Sequence, residues 1–275
     1  MARNLDWMPL RRLLRASVPD EALVEVAEEV VGRYGGGGAE FHRLEADNWL
    51  SVPLVVDDRW FVKVIGQQHS LVHGVLTTGR NIGAFSSGTE GFFEHFSTPV
   101  EMAEHELAAT RSMRDLGLNV PEPRAAFEHD GLGVLVMEYL PAFRTLEDLP
   151  DDEIAAWAPT LFEHLARMHD AQLAHGDLRA ENVLVAPADD GEPALYFIDA
   201  TRVQAIEDAK AYDLACALAA LAPRIDARPA VDAALSQYST ESLLAAREFL
   251  DFVNLRPDHR FEAAAVKGEI ERVAV

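Results

Sequence analysis

Residues 173–187 read "LAHGDLRAENVLVAP". His175, Asp177 and Asn182 stand at fixed offsets, with apolar residues pressed against both ends of the stretch. Just upstream, residues 152–169 place Ile154, Trp157, Leu161, Leu165 and Met168 on one helical stripe, with Pro159 as a kink or restart. Just downstream, "NVLVA" (182–186) and "ALYFID" (194–199) flank the turn "PADDGEP" and predict a hairpin. A loop this polar between a core helix and a core hairpin is either a solvated turn or the holder of a metal-bound ligand.

The spacing gives the second reading its content. Asp177 and Asn182 are five residues apart, and Asp199 closes the hairpin 17 residues beyond Asn182. Phosphoryl transfer needs these residue types: one carboxylate to accept or orient the proton of an attacking hydroxyl, and a side-chain amide oxygen with a second carboxylate to hold Mg²⁺ against a triphosphate. The hairpin explains how two ligands distant in sequence can meet at one ion, and an apolar strand on each side would fix them.

Farther upstream the chain is rich in strand signals. "FHRLEA" (41–46), "SVPLVV" (51–56) and "RWFVKVI" (59–65) predict three strands, and the Asp57-Asp58 turn predicts an antiparallel meander. Residues 66–100, rich in Gly, Ser and Thr, read as a partly helical insertion. "EMAEHELAATRSMRDLG" (101–117) predicts a helix ended by Gly117. "AAFEHD" and "LGVLVMEYL" around Asp130-Gly131 complete a five-strand sheet with one helix. At the start of the chain, "DEALVEVAEEVVGRY" (20–34) has helical periodicity, and "GGGG" (35–38) stops it. Without a preceding strand or a following GK[ST], the glycines read as a flexible linker and not as a phosphate loop. From about 206 to 272 the pattern is mostly helical.

Composition sets the bounds. In 275 residues, 49 % hydrophobic content is enough for a core in one large domain or two lobes. The longest apolar runs, such as "LACALAALA" (214–222), fall far short of a membrane span, and the N-terminus lacks a secretory apolar region, so the expectation is a cytoplasmic protein with no membrane partner. Cys216, the single cysteine, reads as a small core residue. A net charge of −22 argues against broad nucleic-acid contact, with the arginine-rich residues 1–15 as the exception. Only Lys63, Lys210 and Lys267 are lysines, a pattern similar to proteins of salt-loving microbes. His42, His69, His73, His95, His105 and His129 form no zinc-ligand spacing.

Over roughly residues 40 to 220 the sequence resembles the protein-kinase-like superfamily. "HGDLRAEN" is similar to its catalytic loop H-x-D-x-x-x-x-N, and "FIDA" occupies the place of D-F-G. The resemblance implies a two-lobed α+β fold, with a small antiparallel-sheet N-lobe and a helical C-lobe, that uses ATP and Mg²⁺. In it, 1–38 is an N-terminal helical extension and Gly linker, 39–139 the N-lobe with the insertion at 66–100, and 140–275 the C-lobe. It makes Asp177 the proton acceptor, Asn182 and Asp199 the metal ligands, and Lys63 the grip on the α- and β-phosphates. An inward lysine on an apolar strand needs a partner, and Glu101, Glu104 and Glu106 all qualify by charge. The register to Gly117 and Pro121, similar to E…G-x-x-V-P of RIO-type kinases, favours Glu106.

"LVMEYLP" (135–141) resembles the inter-lobe hinge, where Met137 would line the base pocket and backbone groups near Glu138 and Leu140 would pair with adenine; a plain buried strand reads the same letters equally well. Arg179 is either a fixed positive charge for the γ-phosphate or a surface arginine. His175 and Asp213 read as braces for the loop.

The departures are specific. No G-x-G-x-x-G lies between the first two strands; "EADNWLSV" (45–52) stands there, so Asn48 and Ser51 become the candidates for capping phosphates, as polar loops do in aminoglycoside-type kinases. His-Gly-Asp replaces His-Arg-Asp, only 14 residues separate Asp199 from Asp213, and no A-P-E follows. RIO kinases share the insertion and an I-D-x-x-Q loop near "IDATRVQ", while aminoglycoside and choline kinases share His-Gly-Asp and a downstream Asp-Leu-Ala. The resemblance therefore implies an atypical, RIO-like serine/threonine kinase, with a small-molecule hydroxyl kinase or an ATP-binding switch module as alternatives. The acceptor is accordingly a protein or a small-molecule hydroxyl. Phe85, Phe92, Phe93 and Phe96 either pack on the small lobe or, around 83–93, form a substrate-selecting lid that exposes Ser86, Ser87 and Thr89 to self-phosphorylation.

Overall fold

The computed structural model describes residues 18–44, 51–66, 98–200, 203–204, 207–256 and 260–275. They fall into two compact units, one within 1–79, 95–107 and 122–139, the other within 108–121 and 140–275.

The first unit is built on an antiparallel five-stranded sheet of order β1-β2-β3-β5-β4. Its strands are β1 (Phe41–Arg43), β2 (Val52–Val56), β3 (Trp60–Ile65), β4 (Pro123–His129) and β5 (Leu132–Glu138). Alternation along the strands sorts its two faces. Trp60, Val62 and Val64 of β3, with Val134 and Val136 of β5, join a core completed by Leu23, Val26, Ala27 and Val30 of helix α1 (Asp20–Tyr34). Ile65, Leu135 and Met137 point to the opposite face, against Ala103 and Leu107 of helix α2 (Pro99–Asp115). Lys63, two residues before Ile65, shares that second face by the same alternation.

Two expectations change here. Helix α1 belongs to the core of this unit and is no separate extension, because its apolar stripe is the only cover the first face of the sheet has among the described residues. Burying a Val or Leu of that stripe contributes about 1.5–3 kcal/mol. The glycine run is likewise tied down. Asp57, in the left-handed turn after β2 (φ 51°), accepts from the N–H groups of Gly37 (2.7 Å) and Glu40 (3.0 Å), and Trp60 Nε1 donates to Gly35 O (2.8 Å). Burial raises the Asp57 pKa, but these backbone donors outweigh it and leave the carboxyl below its usual value.

Helix α2 begins two residues earlier than its sequence pattern indicates. Thr98 Oγ1 accepts from Glu101 N–H and Glu101 Oε2 accepts from Thr98 N–H, both at 3.2 Å, a reciprocal capping box with Pro99 at the first helical position. The helix start lies directly on β5: a Cβ on Gly133 would come 2.1 Å from Pro99 O, so only glycine permits the approach.

The second unit is mostly helical. Helix α3 (Asp151–Asp170) buries Ile154, Ala158, Leu161, Phe162, Leu165 and Met168. It runs through Pro159 without a restart: the proline and Ala155, whose carbonyl loses its donor, are both on the exposed side, open to solvent. After β6 (Arg144–Thr145), which precedes α3, come β7 (Leu173–Ala174), the hairpin of β8 (Val183–Pro187) and β9 (Pro193–Phe197), and β10 (Val203–Gln204), which pairs with β7. Helices α4 (Glu207–Ile225), α5 (Ala227–Leu235), α6 (Thr240–Arg247), α7 (Leu250–Asn254) and α8 (Ala263–Val273) complete one continuous apolar core with α3. Cys216 is fully buried there, and burial pushes its thiol up to about 12. Among the described residues no helix is long and apolar enough to cross a membrane.

Candidate active site

In the first unit, Lys63 Nζ donates to Glu106 Oε2 at 2.8 Å and to Oε1 at 3.1 Å. The three glutamates separate by position: Glu101 caps α2, Glu104 is exposed, and Glu106, one turn further in, faces the sheet where Lys63 emerges. Ser51, at the entrance to β2, is 3 % exposed, and its Oγ has no hydrogen-bond partner among the described residues. Met137 is buried beside Ile65 and Leu107. Glu138 is exposed, and its own N–H is taken by Glu122 O at 2.9 Å. Asn48 and residues 83–93 lie outside the described residues, as does all of the 66–100 insertion except its ends.

In the second unit the loop 175–182 is held from several sides. Asp213 of α4 is fully buried and accepts from the backbone N–H of His175 (2.5 Å) and of Gly176 (2.8 Å). Gly176 has φ 83°, the left-handed conformation that lets both donors converge on one carboxylate. His169 Nε2 lies 3.3 Å from the same carboxylate, and Tyr238 Oη lies 2.8 Å from His169 Nδ1. Burial raises the Tyr238 pKa, so its hydroxyl stays protonated and able to donate. Asp213 is thus a structural brace.

His175 links this loop to the end of the hairpin. Its Nε2 lies 3.2 Å from Ile198 O, and its Nδ1 accepts from Asp177 N–H at 3.3 Å. That network requires the neutral tautomer with the proton on Nε2. Burial, the largest influence, holds the imidazole pKa below its ordinary value although Asp213, Asp177 and Asp199 all act to raise it.

The hairpin brings the two prospective metal ligands to one end. Ile198 N–H donates to Asn182 O at 3.1 Å, so Asp199 is the residue immediately beyond a rung that Asn182 closes. Asn182 is 2 % exposed and spends its Nδ2 on Asp177 O (2.8 Å), so that Oδ1 is the side-chain atom it could offer to an ion. Asp199 has φ 59°, left-handed for a residue with a Cβ, a strain that clusters at functional sites. Leu140 packs with Leu184, Ala186 and Tyr196.

Asp177 carries two arginines. Arg179 Nε lies 3.3 Å from Oδ2, and the guanidinium also pairs with Glu181, so Arg179 is engaged by carboxylates and is no isolated surface residue. Arg256 Nη2 donates to Oδ1 at 2.7 Å and its Nη1 donates to Tyr212 Oη. Arg256, 79 residues from Asp177, belongs to no motif in the sequence. Its only sequence signal is its scarcity value: arginines and lysines number 24 against 46 acidic residues, and one placed between apolar helices has to be paired.

Comparison with known proteins bears on the fold and on part of the sequence. The family model of the RIO domain matches residues 94–214. The KEOPS complex subunit Bud32 of Pyrococcus abyssi (strain GE5 / Orsay) is 31 % identical over 103 residues, which cover 36 % of this chain and 43 % of Bud32, so the match spans less than half of that relative. Among solved structures, one assigned as a fructosamine-3-kinase from Haemophilus somnus 129PT superposes with a TM-score of 0.51 at 10 % identity, over 93 % of this chain and 97 % of the other. An aminoglycoside-3'-phosphotransferase of type VIII gives 0.49 at 17 % identity, over 84 % and 99 %. The chain is thus similar to the RIO domain from the end of the insertion to α4, and its fold is similar to that of the fructosamine-3-kinase structure.

Proposed function

We propose that the protein is an ATP- and Mg²⁺-dependent phosphotransferase acting on a hydroxyl, of the atypical, RIO-like serine/threonine kinase type. The observation that carries this reading is the loop-and-hairpin constellation: Asn182 anchored to Asp177 O, with Asp199 one residue beyond the rung that Asn182 closes.

The residues suit the groups they are to hold. Asn182 Oδ1 and the Asp199 carboxylate are hard oxygen donors, the set that Mg²⁺ takes, and the bound ion would shield the charge of the triphosphate. Ser51 Oγ, buried without a hydrogen-bond partner among the described residues, suits a phosphate oxygen. Lys63, oriented by Glu106, is the cation for the α- and β-phosphates. Asp177 accepts the acceptor's hydroxyl proton while the new O–P bond forms and the bond from the γ-phosphorus to the ADP oxygen breaks. Arg179, beside Asp177, is the fixed charge proposed for the γ-phosphate. Met137, Glu138 and Leu140 are assigned to the adenine.

The short link from Asp199 to Asp213 and the His-Gly-Asp sequence favour a second reading, a small-molecule hydroxyl kinase. A third, an ATP-dependent switch within a complex, draws on the relative Bud32, which is a complex subunit. Incubation with γ-labelled Mg-ATP in a high-salt extract separates them. A protein kinase labels itself or another protein, a metabolite kinase releases ADP only when its alcohol is present, and a switch does neither.

A further inference from the structure

Two consecutive residues of α4 reach the loop by different routes. Asp213 takes the backbone N–H groups of His175 and Gly176, while Tyr212 takes one nitrogen of Arg256, whose other terminal nitrogen lies 2.7 Å from Asp177 Oδ1. The Arg256 side chain is 7 % exposed and that of Asp177 13 %. Tyr212 is fully enclosed and stacks edge-on against Phe249 just before α7, so the guanidinium is held by a packed side chain outside the loop.

An enclosed arginine–carboxylate pair is a poor route to stability, because desolvation of both charges offsets their attraction and apolar side chains do as well. Its product is geometry. A carboxylate rotates about its last side-chain bond unless one oxygen is fixed, and a planar guanidinium held at its other end fixes it in direction as well as in distance.

We propose that Arg256 is a positioning residue for the proposed proton acceptor: it holds Asp177 Oδ1, and so sets the direction in which Oδ2 faces the acceptor hydroxyl. The inference rests on the phosphotransferase reading, and it concerns a residue outside the stretch that resembles the RIO domain, 94–214.

The test is a double-mutant cycle in the full-length chain, with ATP hydrolysis and self-labelling from γ-labelled Mg-ATP as the measured reactions and nucleotide affinity measured alongside. Arg256→Gln lowers kcat by about 10- to 100-fold with nucleotide affinity unchanged, and Arg256→Lys recovers only part of the loss because an ammonium cannot span Tyr212 and Asp177 in one plane. In an Asp177→Asn background, Arg256→Gln adds less than about a 2-fold further loss, since its effect runs through the group already removed. Tyr212→Phe, which keeps the packing and removes the hydroxyl, gives a smaller loss that disappears in the same background. Losses that multiply in the Asp177→Asn background, a parallel fall in nucleotide affinity, or a rise in activity on removing Arg256 each overturn the inference and leave the phosphotransferase reading standing. A wild-type chain that neither hydrolyses ATP nor labels itself or any protein or alcohol overturns that reading, and the role of Arg256 with it.

Discussion

Lys63 on β3 and Glu106 on α2 meet at 2.8 Å across 43 residues of sequence, with side chains only 8 % and 13 % exposed. Removing one partner leaves an enclosed charge without its counterion. Lys63→Met should therefore cost about 3 kcal/mol, whereas Lys63→Met with Glu106→Leu should recover most of it. Denaturant midpoints measure both. Phosphoryl transfer should be absent from both variants, because the double substitution restores stability and neither restores the phosphate cation. Lys63→Arg should keep the fold and still lose transfer by about 10-fold or more, since a planar fork replaces a compact ammonium.

Gly133 sets the seat of α2, and with it the position of Glu106. A Cβ there would stand 2.1 Å from Pro99 O, and backbone cannot swing aside as a side chain can. Gly133→Ala should destabilise the protein by about 1–3 kcal/mol in thermal or chemical unfolding. It should also raise the KM for ATP, which a change remote from the site would leave alone.

Much of this architecture is legible in local pattern. The Asp57-Asp58 and Asp130-Gly131 turns, the hairpin around "PADDGEP" and the loop Asp177…Asn182 each depend on neighbours a few residues apart, and turn chemistry fixes them. What the pattern hides is long-range. The apolar stripe of α1 is visible in sequence, but nothing local says that it covers one face of the sheet, so the helix read as an appendage. Likewise Gly35–Gly38 read as a free linker because their anchor, Asp57, is 20 residues beyond Gly37. Arg256 meets Asp177 only through the packing of the C-terminal helices. The lid expected at 83–93 and the phosphate contact expected of Asn48 lie outside the described residues.

Acid should unfold the protein through its enclosed histidines. Burial lowers the pKa of His175, and burial followed by the charge of Arg167 lowers that of His164, from an unfolded value near 6.5. A depressed pKa means that the unfolded chain binds more protons below pH 6.5, so stability is complete above that value and falls as pH drops through the window toward the folded pKa. Melting temperatures should decline from pH 7.5 to 5. His164→Leu, which also removes a buried Nδ1 with no hydrogen-bond partner among the described residues, should soften the decline; an unchanged slope would assign it to other groups.

Asp199→Ala removes one of the two proposed oxygen ligands. Nucleotide affinity should lose its dependence on Mg²⁺ and fall sharply, because the triphosphate then meets a chain of net charge −22 unshielded. Equilibrium binding at several Mg²⁺ concentrations measures this, and an unaltered Mg²⁺ dependence would remove Asp199 from the metal site.

In the proposed reaction Asp177 serves the transfer and not the binding of nucleotide. Asp177→Asn keeps the size of the side chain and deletes the acceptor carboxylate, so one experiment isolates the role: nucleotide affinity and phosphoryl transfer from γ-labelled Mg-ATP, measured side by side for wild type and variant. Affinity should be equal and transfer should fall by about 10²-fold or more. Transfer undiminished in Asp177→Asn, or affinity lost in step with transfer, would contradict that role.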